Sequence, residues 1–160
     1  MRKKFGIIVL LLCLLAVGWL VWRQGGPRRQ ALQALGHLDT ALRTGNSADL
    51  LNVISTPAAV QGRTTDEQAQ FLSKALTDEV SPEGLAALQG AGTFGPLANL
   101  FPAEATTWAG QAGVKVEDCV AFKMERAGIR AEVVLLREGE SYRVVRCNNV
   151  KQMAPEKQHS

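Results

Sequence analysis

The sequence predicts an α+β fold. Several helices pack on one face of a curved antiparallel meander of at least three strands, preceded by an N-terminal transmembrane helix. Three observations predict it. An uninterrupted apolar run, Phe5 to Trp22, opens the chain. Apolar residues then recur at three- and four-residue spacing as far as the segment ending at Gly113. After Gly113 the period changes to two, with turn residues between alternating runs.

The apolar run is 18 residues long. A helix of that length spans roughly 27 Å at about 1.5 Å per residue, close to the hydrocarbon thickness of a bilayer. Trp19 and Trp22 stand at its far end, where amphipathic rings favour the interface, and Arg2, Lys3 and Lys4 favour a cytoplasmic N-terminus. Residues 1–23 are therefore expected to be a signal-anchor, although Arg23, Arg28 and Arg29 follow the run. A competing reading is a cleaved signal peptide, with Ala16-Val17-Gly18 as a small-x-small site. The apolar run continues beyond that site through "WLVW", which favours retention. Cys13 is a poor lipoprotein site because bulky Leu12 precedes it.

The formal net charge of +3 belongs to this segment. Arg2, Lys3, Lys4 and Arg23 hold four of the 18 basic residues and no acid, so the remainder has 14 basic against 15 acidic residues. No nucleic-acid footprint remains. Arg126, Arg130, Arg137, Arg143 and Arg146 fall close together, but acids alternate with them, as on a solvated strand face.

Residues 24–29 are expected to form a linker, with Gly25 and Gly26 interrupting any helix and Pro27 able to open a new one. A single domain should then run over residues 30–152, with a disordered tail over 153–160. Leu32, Leu35, Leu38 and Leu42 mark a first helix stopped at Gly45-Asn46, and Ser47 caps a short second one. Thr56 to Thr65 forms a loop. Thr64 with Glu67, or Thr65 with Gln68, makes a capping box for a third helix, with Phe71, Leu72, Ala75 and Leu76 inside. Ser81 caps a fourth helix, with Pro82 at its first position and Leu85 and Leu88 buried. Pro102 to Gly113 gives a further short helix.

The meander follows from "VEDCVAFKMER", "IRAEVVLLRE" and "SYRVVRCNNV". Pairing across Ala127-Gly128 sets Val120 opposite Leu135, Phe122 opposite Val133 and Met124 opposite Ala131, so the apolar faces coincide. The best register for the second hairpin sets Val133 opposite Val145 and Ala131 opposite Cys147. Cys119 and Cys147 then flank the middle strand on opposite sides, about five residues or roughly 17 Å apart, beyond disulfide reach. Both are expected to be free.

Candidate chemistry is sparse. "GAGTFGP" contains G-x-G-x-x-G at Gly90, Gly92 and Gly95, with Glu117 and Asp118 downstream. A dinucleotide fingerprint needs a strand before it and a helix after it, whereas "PEGLAALQ" before it is helical. The stretch is expected to end the fourth helix at Gly90 and form a connection, and no cofactor is assigned. His37 and His159 give no metal-ligand spacing, and no metal site is assigned. The paired carboxylates Asp66-Glu67, Asp78-Glu79 and Glu117-Asp118 are not placed for general acid–base work, and no catalytic residue is assigned. Phe94, Phe101, Trp108, Phe122 and Tyr142 are the candidates for lining a pocket or plugging the end of the sheet.

Helices carrying "ALRTGNSADLLNVIS", followed by a curved antiparallel meander, resemble the nuclear transport factor 2-like (cystatin-like) superfamily over about Gln30 to Val150. The resemblance implies a cone-shaped fold with a pocket between sheet and helices. That fold serves isomerases, dehydratases, binding modules and assembly proteins alike, so it assigns no function. Enzymes of the superfamily generally use Asp and His pairs inside the cone, and no such pair is assignable here. The sequence also departs from the pattern, with three strands where the superfamily usually has more and an inserted segment from Gly90 to Gly113.

The expectation is a single-pass domain on the outer side of a bacterial-type inner membrane. It would bind an envelope protein or a small apolar ligand, without nucleic acid. The alternatives are an envelope enzyme with a cone-shaped internal pocket and a secreted domain released by cleavage. The intact mass of the mature protein distinguishes anchor from secretion: retention of residues 1–23 is expected, and a mature N-terminus at Trp19 would sink the anchor.

Overall fold

The computed structural model describes residues 13, 25–55 and 61–156. The expected anchor apart from residue 13, the loop residues 56–60, and the end of the tail with His159 lie outside them. Among the described residues no helix is long and apolar enough to cross a membrane.

Helix α1 spans residues 25–44, so the expected linker is helical from residue 25 onward. Pro27 falls in the first described turn of this helix. Ala31, Ala34, Leu35, Leu38 and Ala41 form its buried stripe, and small alanines beside leucines let the helix lie close to its neighbours. Gly45 takes a left-handed conformation, with φ 63°. The cap of α2, Ser47–Val53, is Asn46 rather than Ser47: its side chain accepts from the Ala48 N–H at 3.0 Å. Helix α3, Thr65–Glu79, opens with the Thr64–Glu67 capping box. Its Thr64 N–H donates to the Glu67 carboxylate at 3.0 Å, and that bond holds the Glu67 carboxyl below its usual range. Ala69, Leu72 and Leu76 face inward, whereas Phe71, expected inside, is 42% exposed. Spacings of three and four put residues 69, 72 and 76 on one stripe, and position 71 lies about 100° round the helix from its neighbour.

Helix α4, Pro82–Ala91, starts at Ser81 as expected, with Leu85 and Leu88 buried. It ends at Gly92, not Gly90. The glycine stretch is then an edge strand, β1, Thr93–Pro96, rather than a loose connection. A Cβ at Gly92 would collide with the Leu88 carbonyl, which explains the glycine there. Two short helices follow, α5 (Leu97–Leu100) and α6 (Ala105–Ala112), and Gly113 closes the second with φ 69°. Glu117 and Asp118 belong to a 3₁₀ turn, Val116–Asp118, rather than to a strand.

The sheet has four antiparallel strands in the order β1-β2-β3-β4, one more than the sequence revealed. Strand β2 is Cys119–Arg126, β3 is Ile129–Glu138 and β4 is Ser141–Asn148. The first hairpin has the expected register: Val120 meets Leu135, Phe122 meets Val133 and Met124 meets Ala131. Ala127 and Gly128 both take positive φ, the conformation of a tight two-residue turn. The second hairpin departs from expectation. Leu135 meets Val144 but Val134 meets Arg146, so Val145 is an extra residue, a bulge, and Cys147 lies opposite Val133 rather than Ala131.

Helices cover both faces of the sheet, not one. Leu35, Leu38, Leu72, Leu76, Leu85 and Leu88 from α1, α3 and α4 pack on Phe122, Val133, Leu135 and Val144. Leu97, Phe101 and Ala105 pack on Cys119, Ala121 and Val134 on the opposite face. The chain end is also tied down. Val150–Met153 forms a 3₁₀ turn, Met153 is fully buried, and Arg126 Nη2 donates to the Ala154 carbonyl at 2.6 Å. Met153, expected in a disordered tail, is therefore part of the domain.

Helix α4 reaches this turn through Gly84, where a Cβ would collide with the Val150 carbonyl. Gly84→Ala is expected to destabilise the domain by about 1–3 kcal/mol, because neither backbone can rotate away. Gly90→Ala, which meets nothing within 4 Å, should stabilise it by roughly 0.5–1 kcal/mol. Urea unfolding of the two variants checks the contrast, and equal effects would refute the close approach.

Candidate functional site

The α5–α6 face of the sheet holds a fully buried carboxylate, Glu132. It lies in the middle of β3, opposite Lys123 on β2 and Asn148 on β4. Asn148 Nδ2 donates to Glu132 Oε1 at 2.8 Å. Arg146 Nε lies 3.8 Å from Oε1 and Arg130 Nε lies 3.7 Å from Oε2, which are ion-pair distances rather than hydrogen bonds. Glu132 Oε2 and Arg146 Nε are both buried without a hydrogen-bond partner. Arg130 also pairs with Glu104, just before α6, at 3.0 Å.

Two aromatic rings fix these cations from above. Phe101 and Trp108 contact each other with centroids 5.0 Å apart. Lys123 Nζ and Arg130 Cζ lie 5.5 and 5.3 Å from the Phe101 centroid, and Arg146 Cζ lies 4.8 Å from that of Trp108. Three cations are thus gathered around one buried carboxylate, with Glu104 at the rim. The guanidinium-bearing side chains remain about 40% exposed, so they present donors outward while their stems are held. Sequence reading placed Arg130 and Arg146 on a solvated face and missed Glu132. The signal was the unbroken "VVLL" beside it, since a run without alternation marks a strand covered on both sides.

The five candidate aromatics divide between the two faces. Phe94 and Phe122 stack at 5.0 Å across β1 and β2 and, with Tyr142, belong to the larger core. Phe101 and Trp108 belong to the smaller one. They do not converge on one pocket. On the face of the sheet where the resemblance implies a pocket, Leu35, Leu38, Leu85 and Leu88 pack on Phe122, Val133 and Leu135. His37 is exposed beside a cavity of about 290 Å³ that Asp49 and Asn52 also line.

Another concavity lies on the α3 side of the sheet. A groove of about 230 Å³ runs between α3 and β4, lined by Phe71, Leu72, Ala75, Glu79, Val145 and Cys147 among others. β4, like β1, is an edge strand of the sheet. It is bridged by Ile54, and Ser55 donates its N–H to the Val144 carbonyl at 2.8 Å. Glu79 at the groove's end accepts from the Asn149 N–H at 2.8 Å. Arg63 lies 6.0 Å above the exposed Phe71 ring.

Fold and site together define an α+β domain with two surface features, a caged carboxylate and an apolar groove. No protein-family model matches the chain, and no curated protein or solved structure matches it either.

Cys119 and Cys147 are free thiols. They flank β3 three positions apart, opposite Leu136 and Val133, and belong to cores on opposite faces. Burial, and then Asp118, push the Cys119 thiol up to about 11. Burial, and then Glu79, push Cys147 up to about 12. Both are raised in the folded state, so their contribution to stability is complete below pH about 9 and is lost as pH rises through 11 to 12. In a Cys13→Ser background at pH near 8, the buried Cys119 should react with a disulfide reagent only as fast as the domain opens, and at once in denaturant, whereas Cys147, half-buried in the α3–β4 groove, should react slowly in the native protein because its thiol is held protonated. Rapid labelling of Cys119 in the native protein would refute this.

Proposed function

We propose that the chain is a membrane-anchored extracytoplasmic domain that acts as a binding or assembly module rather than as an enzyme. The groove between α3 and β4 carries this reading. It is apolar, lies beside a sheet edge, and is rimmed by Phe71, the large hydrophobic residue exposed among the described residues. An exposed aromatic beside a concave apolar surface is the form of a contact with a protein or a small apolar ligand. The apolar run Phe5–Trp22 supports attachment to a bacterial-type inner membrane with the domain outside. Helices laid across an antiparallel sheet are in keeping with a nuclear transport factor 2-like fold, and its binding members fit this reading better than its enzymes.

A photo-crosslinking side chain placed at Phe71 in the full-length protein in membranes tests it. Discrete adducts are expected at position 71 and not at Lys74, which is exposed on the same helix outside the groove. Equal labelling at both positions, or none at either, would count against the groove as the binding surface.

A further inference from the structure

The sheet has a gap on its β1 side. β2 runs from Cys119 to Arg126, but β1 pairs only with Val120 to Lys123. Beyond Lys123 the outer edge of β2 has no strand beside it. The chain itself cannot extend β1 to cover it. The residue in line to face Glu125 is Ala91, which ends α4, and the Gly92 N–H is committed to the Leu88 carbonyl at 2.8 Å. A concavity of about 500 Å³ lies where a longer β1 would run, lined by Ala91, Thr93, Leu100, Lys123, Met124 and Glu125. Its walls are open to solvent: Ala91, Thr93 and Glu125 are exposed.

The turn at Ala127-Gly128 fixes which backbone groups face this gap. Residues flanking a two-residue turn form a hydrogen-bonded pair, and bonded pairs then alternate with non-bonded ones along the hairpin. Arg126 with Ile129, Met124 with Ala131 and Phe122 with Val133 are therefore the bonded pairs. Ala121, Lys123 and Glu125, which stand between them, turn their N–H and C=O groups toward β1. Gly95 and Thr93 meet the first two. Two observations agree with this alternation. Pro96 stands opposite Val120, where no N–H toward β2 is called for. Val144 stands opposite Leu135, which is bonded to β2, so its carbonyl points outward and accepts from Ser55. Glu125 is left with an N–H and a C=O aimed at the concavity and no partner strand among the described residues.

A backbone donor and acceptor at strand spacing, beside an open cleft, match the main chain of an extended peptide. One peptide residue exchanges both bonds with Glu125. Leu100 and Met124 lie on opposite faces of the sheet, at the margins of the smaller and larger cores, and offer apolar contact to successive side chains. We infer that the Met124–Glu125 edge of β2 is a docking site for an extended peptide from another protein, laid antiparallel to β2 in line with β1. Such a peptide must end or turn away at Gly92, so the contact is short. The site lies at the opposite edge of the sheet from the α3–β4 groove and shares no lining residue with it.

The test uses the isotope-labelled full-length protein in detergent and follows the Glu125 amide by NMR. The probes are a capped pentapeptide of alternating valine and threonine, and the same peptide with every backbone nitrogen methylated. The plain peptide should move the Glu125 amide proton downfield and saturate, and the methylated one should bind about tenfold or more weakly. Glu125→Pro removes the outward N–H and spares the β2–β3 ladder, because that N–H does not face β3. It should weaken the plain peptide about tenfold, with circular dichroism unchanged. Glu125→Gln keeps the backbone and should stay within about threefold. The inference is overturned if millimolar plain peptide leaves the Glu125 amide unmoved, if both peptides bind equally, or if Glu125→Gln costs as much as Glu125→Pro. It is also overturned if the amide shifts on diluting the protein alone, since a second copy of the chain then occupies the edge. The two peptides on the wild type decide the matter even if Glu125→Pro fails to fold.

Discussion

A single carboxylate constrains how this sheet can be built. Glu132 lies at the centre of β3, a strand covered by helices on both faces, where an uncompensated charge would be costly to bury. Its compensation comes from three strands and from the segment leading into α6: Asn148 and Arg146 on β4, Arg130 on β3, Lys123 opposite on β2, and Glu104 holding Arg130. Those partners stand in place only if the strands keep their register. Phe101 and Trp108 sit on the same cations, so the placement of α5 and α6 is coupled to the same charge.

The bulge at Val145 makes this compensation geometrically available. Side chains alternate along a strand, so one extra residue moves everything beyond it to the other face. Before the bulge, Tyr142 and Val144 point into the larger core. Without the extra residue, Arg146 would follow them onto that apolar face and Cys147 would stand against Glu132. With it, Arg146 and Asn148 pair with Val134 and Glu132 on the α5–α6 face, and Cys147 turns toward the larger core. The same shift places Cys147 in the floor of the α3–β4 groove. One local irregularity therefore shapes both surface features of the domain.

The glycines show how local matches mislead. Gly90, Gly92 and Gly95 spell a dinucleotide fingerprint, yet the chain passes from α4 directly into an edge strand. Gly92 permits the close approach to the Leu88 carbonyl, and Gly95 lies opposite Ala121 with Leu100 packed over it. The strand is four residues long and ends at a proline, which limits the edge it offers to other chains. Neither glycine has a phosphate-binding helix N-terminus beside it, because the helix that follows, α5, begins after Pro96 and is itself only four residues long.

The sequence by itself determined the elements whose signals are local. The Thr64–Glu67 box, Ser81 with Pro82, Gly113, and the Ala127-Gly128 turn each act within a few residues, and the matching alternation of β2 and β3 sets their register by itself. Only the tertiary structure decided the rest. β1 is too short to show a period, and it becomes a strand because Phe94 meets Phe122 across it. Phe71 and Leu72 are equally apolar, and which one is buried depends on what α3 packs against. Glu132 reads as a solvated residue in a half-exposed strand until α5 and α6 cover it. The bulge follows from the competition between burying Cys147 and pairing Arg146 with Glu132, and no residue in β4 announces that alone. The groove and the caged carboxylate are both assembled from segments far apart in the chain, so their geometry is a property of the packed fold.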